Sequence, residues 1–268
     1  MFKAKLQSVK WVIYTSIVLF LFSCGTKDST NVAVEDIYAR VAIDVNNSGT
    51  AKIRIDLKEG NFIGESLDLT GNDTLQLSFN GESIAIKKDN DLFDIDYEAS
   101  VETHGLSGVF SFGFVRNNQT VVAAEANLSP SFDILTPTKG SVFNSSDSLV
   151  DISWSNPNQA EVVELHGTLT CDTIEDDLDL DTDSENEEYR LQDTGSDSLP
   201  LYHLISNLIL EVTLEDEEII SSNPCDLSFD LAKVHEKPLT GFMSGSTIRV
   251  SQNRSSYTYK VTGIESNN

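Results

Sequence analysis

Ile37 to Val45 (IYARVAIDV) alternates apolar and polar residues. An extended strand, whose successive side chains point to opposite faces, converts that spacing into one apolar side. The same period of two returns in Ala51–Leu57, Leu75–Phe79, Ser83–Ile86, Leu92–Val101, Gly108–Val115 and Thr120–Ala126. Asn80-Gly81 between the third and fourth runs is a two-residue hairpin signal, and Arg116 to Gln119 is a further turn. Seven short strands in roughly 95 residues, each with one inward face, must pack as two facing sheets or close into a barrel.

Leu128 to Ser131 (LSPS) marks a boundary, after which a second set begins. Its strands are expected at Phe132–Leu135, Leu149–Trp154, Glu161–Cys171, Cys225–Val234, Thr247–Val250 and Tyr257–Thr262. Leu199 to Leu210 (LPLYHLISNLIL) instead spaces Leu201, Leu204, Ile205 and Leu208 on one helical face, with Ser198 as the expected cap and Pro200 in the first turn. The fold class is therefore all-β: two consecutive β-sandwich domains, at 36–129 and 130–268, the second with one short helix.

The N-terminus has a different grammar. Lys3, Lys5 and Lys10 precede the apolar run Trp11 to Phe22, which Ser23-Cys24-Gly25 ends. A basic start, a short apolar core and small residues are the marks of a secretory signal peptide over 1–23. A bilayer-crossing helix takes roughly 20 apolar residues, so a dozen favours export over a permanent span. An ordinary signal with an incidental cysteine, or an uncleaved anchor, are the alternatives.

Leu21-Phe22-Ser23-Cys24 resembles the lipobox of bacterial lipoproteins. The resemblance implies cleavage before Cys24, lipid on its sulfur and an acyl chain on its freed amine, so that residues 24–35 form a lipid-anchored tether. Each buried methylene contributes about 0.8 kcal/mol, and several chains hold firmly. Gly25 stands where an aspartate tends to retain such proteins at the inner membrane, which favours the outer membrane and leaves its periplasmic face or the surface open.

Pro137 followed by Ser148 to Pro157 (SLVDISWSNP) resembles the opening of a fibronectin type III or immunoglobulin-like sandwich, in which a strand's tryptophan fills the core. Here Trp154 precedes Cys171 and Cys225, whereas in antibody domains the tryptophan lies between the two cysteines.

The chain has 18 basic and 43 acidic residues; without the signal's three lysines the net charge is −28. Such a surface repels phosphate backbones and sets nucleic acid aside as a partner. With Cys24 given to lipid, Cys171 and Cys225 remain. An even pair in an oxidising compartment points to a disulfide, with two buried thiols the alternative.

Asp172 to Glu188 holds ten acids and no base, within an expected acidic loop over 172–193. Read from Asp177, it sets Asp179, Asp181, Asp183, Glu185 and Glu188 at the third, fifth, seventh, ninth and twelfth positions of a calcium loop. Thr182 occupies the place of the turn glycine. A solvated inter-strand loop is the plainer reading.

No catalytic residues are assigned. His104, His166, His203 and His235 form no HExxH pair, no GxSxG or phosphate loop occurs, and 43 acids make any imagined carboxylate pair uninformative. Tyr257 and Tyr259, near Arg249 and Arg254, are a candidate face for a partner or glycan, with half-buried edge-strand tyrosines the plainer reading. The function expected is a membrane-anchored, non-enzymatic binding or structural module of the cell envelope, its partner an unknown envelope protein or glycan. A hydrolase on polysaccharide or peptide, and a calcium-stabilised adhesin-like module, are the alternatives.

Overall fold

The computed structural model describes residues 25–90, 94–159, 161–174, 180–214, 218–220 and 222–264. The signal segment and Cys24 lie outside them.

The strands of the first half are β1 (Thr26–Asp28), β2 (Ile37–Val45), β3 (Thr50–Glu59), β4 (Ser66–Asp68), β5 (Thr74–Phe79), β6 (Glu82–Ser83), β7 (Lys87–Asn90), β8 (Ile95–Glu102), β9 (Gly108–Arg116) and β10 (Gln119–Leu128). Those of the second half are β11 (Ile134–Thr136), β12 (Val142–Asn144), β13 (Val150–Trp154), β14 (Val162–Ile174), β15 (Leu180–Gln192), β16 (Ser196–Leu199), β17 (Glu218–Ile219), β18 (Cys225–Pro238), β19 (Thr247–Ser255) and β20 (Tyr259–Thr262). One helix, α1 (Leu201–Leu214), follows β16. The chain is all-β in its architecture, its sheets facing one another around two hydrophobic cores.

The alternation does what its period demands. In β2, Ile37, Ala39, Val41, Ile43 and Val45 are all buried; in β3, Ala51, Ile53, Ile55 and Leu57 join them. They face Leu77, Phe79, Phe110, Phe112, Phe114 and Val122 from the opposing sheet β10-β9-β5-β6. Asn80 and Gly81 both have positive φ (51° and 84°), the geometry of the tight hairpin that their sequence signals. The second core packs Val150, Ile152 and Trp154 of β13 and the helix residues Leu201, Leu204, Ile205, Leu208 and Val212 against Leu165, Leu227, Phe229 and Leu231.

Four findings go beyond the sequence pattern. First, the two sets of strands share one sheet. β19 pairs in parallel with β2 (Ile248 beside Val41, Val250 beside Ile43), so one sheet runs β1-β4-β3-β2-β19-β18-β14-β15 through both. Leu239, Phe242, Ile248 and Val250, expected in the second domain, fill the first core.

Second, residues 25–35, within the expected tether, pack against the first sandwich. β1 pairs with β4 in parallel, Thr26 opposite Ser66. Ser29 is buried, and its hydroxyl donates to Asp73 at 2.9 Å. Arg116 donates to the carbonyls of Val32 and Ser29, each at 2.8 Å, and clasps Asp73 at 2.6 Å. A guanidinium fork bonded to three acceptors fixes this segment against the sandwich.

Third, much of the acidic loop 172–193 is sheet. β14 and β15 pair without a register break from Val162–Gln192 to Ile174–Leu180. Acids are poor strand formers in isolation, but a thirteen-residue template next door supplies the ladder.

Fourth, Ser198 does not cap α1. It lies within β16, where its hydroxyl donates to Asp151 at 2.8 Å, and the His203 amide bonds the Pro200 carbonyl.

Candidate interaction surface

The large sheet has a beginning and an end in space. β1, the strand that follows Cys24, forms one edge; β15 forms the other. Seven steps separate them, about 34 Å along the sheet at ~4.8 Å per step. Among the described residues β15 pairs with β14 alone and ends the strand order of the large sheet.

Side chains on β15 alternate. Thr182, Ser184, Asn186, Glu188 and Arg190 are exposed, while Asp183, Glu185, Glu187 and Tyr189 are half-buried towards α1. Tyr189 bonds Glu187, and the His203 ring lies 3.6 Å from the Glu187 carboxylate. Burial raises the Glu187 carboxyl above the usual carboxylate range, and the neighbouring His203 opposes that rise. Next to the edge, Glu164 of β14 meets Arg249 of β19 and, at 4.0 Å, Arg190 of β15; Arg190 also reaches Glu236 at 3.7 Å. These crossed pairs tie four strands together on the outer face.

Of the calcium-loop residues, Asp177 and Asp179 lie outside the described residues. Asp181, Asp183 and Glu188 sit on β15, where positions 181 and 183 share one face and 188 takes the other. The twelve-residue wrap that gathers such ligands is therefore not formed over 180–192. Cys171 and Cys225 are opposite each other on β14 and β18 and form a disulfide, Cα–Cα 4.4 Å.

The tyrosine and arginine group is divided. Tyr259 is buried, stacked on Phe229 at 5.6 Å, its hydroxyl donating to the Pro137 carbonyl at 2.7 Å. Tyr257 stays exposed under Lys139. Arg254 turns inward to the Phe132 carbonyl at 2.9 Å, whereas Arg249 faces outward.

Sequence reasoning missed a buried polar seam beside Phe132 and Trp154 of the second core. Lys233 and Asp193 pair at 2.8 Å with both side chains enclosed. Asp193 also accepts the Trp154 indole N–H (2.6 Å) and the Asn158 amide (2.8 Å). The Lys233 ammonium reaches the Asn156 carbonyl and lies 5.0 Å over the Phe132 ring. Beside it Glu161 accepts from Ser129 and from Asn158. Burial holds the neighbouring His235 imidazole below its ordinary value, with Lys237 adding to the shift. A lone lysine between Ala232 and Val234 in a strand was the one available sign of this seam.

The hollow on the outer face of the β5-β9-β10 sheet is lined by Gln76, Ser78, Ser111, Gly113 and Thr120 among others, with no titratable side chain. Compared with known family profiles and with curated proteins, the chain matches none. Among solved structures it is similar to the adhesin InvE of Yersinia pseudotuberculosis (12% identity, 80% of this chain and 58% of that one, TM-score 0.24). It is also similar to a DUF4785 family protein of Legionella pneumophila (11%, 84% and 56%, TM-score 0.25). A third is a chimeric titin Z1Z2 (8%, 87% and 100%, TM-score 0.22). The chain spans a little over half the length of the first two. At these TM-scores the fold assignment rests on the strand topology and not on the likeness.

Proposed function

We propose that this chain is a lipid-anchored, non-catalytic module of the cell envelope that binds an extended segment of a partner along β15. The carrying observation is the single sheet that begins at the strand following Cys24 and ends, seven strands on, at the thirteen-residue β15, which among the described residues pairs with β14 alone. An open edge offers main-chain hydrogen bonds to an incoming strand. The acids of β15 would face one another if two copies paired, which disfavours self-association. They favour a basic partner strand.

The experiment is photo-crosslinking in intact cells with a benzophenone amino acid at Asn186, and at Glu98 on β8 as a control, together with mass analysis of the N-terminal peptide from the same membranes. The reading expects an adduct from position 186 alone and an N-terminus at acylated Cys24. No adduct at 186 rejects the edge; a retained Met1 to Ser23, or an unmodified Cys24, rejects the anchor.

A further inference from the structure

The turn between β3 and β4 exposes two large apolar side chains, Phe62 (69% exposed) and Ile63 (77%), next to the point where the described chain begins. Parallel pairing of Thr26 with Ser66 places Gly25 beside Glu65, and a Cβ on Gly25 would lie 3.3 Å from the Glu65 carboxylate. Gly25, the residue after Cys24 in the sequence, is thus within a few residues of Phe62 and Ile63.

The turn is built to hold this shape. Glu59 and Asn61 close it: the Glu59 amide donates to the Glu65 carbonyl (2.9 Å), and the Gly64 amide to that of Asn61 (3.0 Å). The Asn61 side chain accepts from the Ile63 amide at 2.9 Å. Only glycine fits at position 64, where a Cβ would stand 1.8 Å from the Glu59 carbonyl oxygen. Lys27 pairs with Glu59 at 2.6 Å and fastens β1 to the base of the turn. The turn's own bonds hold two apolar side chains outward, so little ordering remains to be done on insertion.

From this we infer that Phe62 and Ile63 insert into the bilayer surface beside the anchor and set the orientation of the whole sheet on the membrane. The inference rests on the anchoring reading above, because the anchor brings this tip to the lipid. Each side chain, once buried, favours the membrane-bound orientation by about tenfold or more.

The test uses the full chain expressed with its signal and purified from membranes. One variant carries Ile63→Cys and a second Asn47→Cys in the β2–β3 turn, at the other end of β3, each labelled with a nitrobenzoxadiazole fluorophore. The protein is reconstituted into phosphatidylcholine vesicles with and without nitroxide-bearing lipid, then floated on a gradient. Insertion predicts a blue-shifted emission at position 63 and quenching severalfold stronger than at position 47. Adding Phe62→Ser to the Ile63→Cys variant should weaken that quenching. Protein that floats with equal, weak quenching at both positions overturns the tip while leaving the anchor standing. Protein that does not float overturns both.

Discussion

The Lys233 ammonium and the Asp193 carboxylate lie 2.8 Å apart, both enclosed, beside Phe132 and Trp154 of the second core. Removing one partner leaves a buried charge without its counter-ion, which typically costs about 3–5 kcal/mol. Asp193→Ala, which also strips the Trp154 indole of its acceptor, should therefore lower the urea midpoint strongly. Lys233→Met combined with Asp193→Leu should recover a good part of that loss. A midpoint for Asp193→Ala equal to that of the parent protein would show the pair to be dispensable.

The disulfide between Cys171 and Cys225 joins directly opposed residues of β14 and β18 and closes a loop of 54 residues. On the chain-entropy account a loop of this size stabilises by about 4 kcal/mol. Reductant should lower the melting temperature of the parent protein by several degrees and leave a Cys171→Ser, Cys225→Ser double variant unmoved. Scanning calorimetry with and without dithiothreitol checks this.

Asp96 of β8 faces Asp56 of β3 across the ladder, with Arg54 bridging the two. Burial first, then the neighbouring Asp56, pushes the Asp96 carboxyl up to about 7. A folded-state value raised above the unfolded one means that the protonated form is favoured in the fold. The contribution is thus fully present at pH values below about 4 and is lost as pH rises through about 7. Asp96→Asn should flatten the stability difference between pH 5 and pH 8 relative to the parent; chemical denaturation at the two pH values measures it. Equal pH dependence in the two proteins would remove Asp96 as its source.

Arg116 makes a fork that lysine cannot copy, holding Asp73 and two carbonyls of the 29–32 segment together. Arg116→Lys should cost about 1.5–3 kcal/mol. It should also raise hydrogen exchange at Ser29 to Val32 ahead of global unfolding, as read by mass spectrometry.

Where the hydrophobic pattern was regular, the strands were legible. Ile37–Val45 was read to the residue. The stretch Leu199 to Leu210 was the ambiguous one, and its spacing of Leu201, Leu204, Ile205 and Leu208 favoured the helix that forms over Leu201–Leu214. The candidate edge was not legible. Leu180 to Gln192 has the composition of a solvated loop, and only its register with Val162 to Ile174 makes it a strand. Parallel pairing of β19 with β2 leaves no local mark either, since it joins segments about 200 residues apart. Tyr257 and Tyr259 were treated as one face, although only the second lies in the ladder of β20.

The union of β2 with β19 also governs the order in which this molecule is assembled. Synthesis delivers Ile37–Val45 early, but its neighbour arrives only with Thr247–Ser255, close to the end. Until then one flank of β2 is bare, and the first core lacks Leu239, Phe242, Ile248 and Val250. Folding of the amino-terminal half is therefore held back until nearly the whole chain is available, and a fragment stopping near residue 129 would present a sticky, incomplete sheet. Under the envelope anchoring proposed above, that delay is an advantage: the part made first is the part least able to close prematurely.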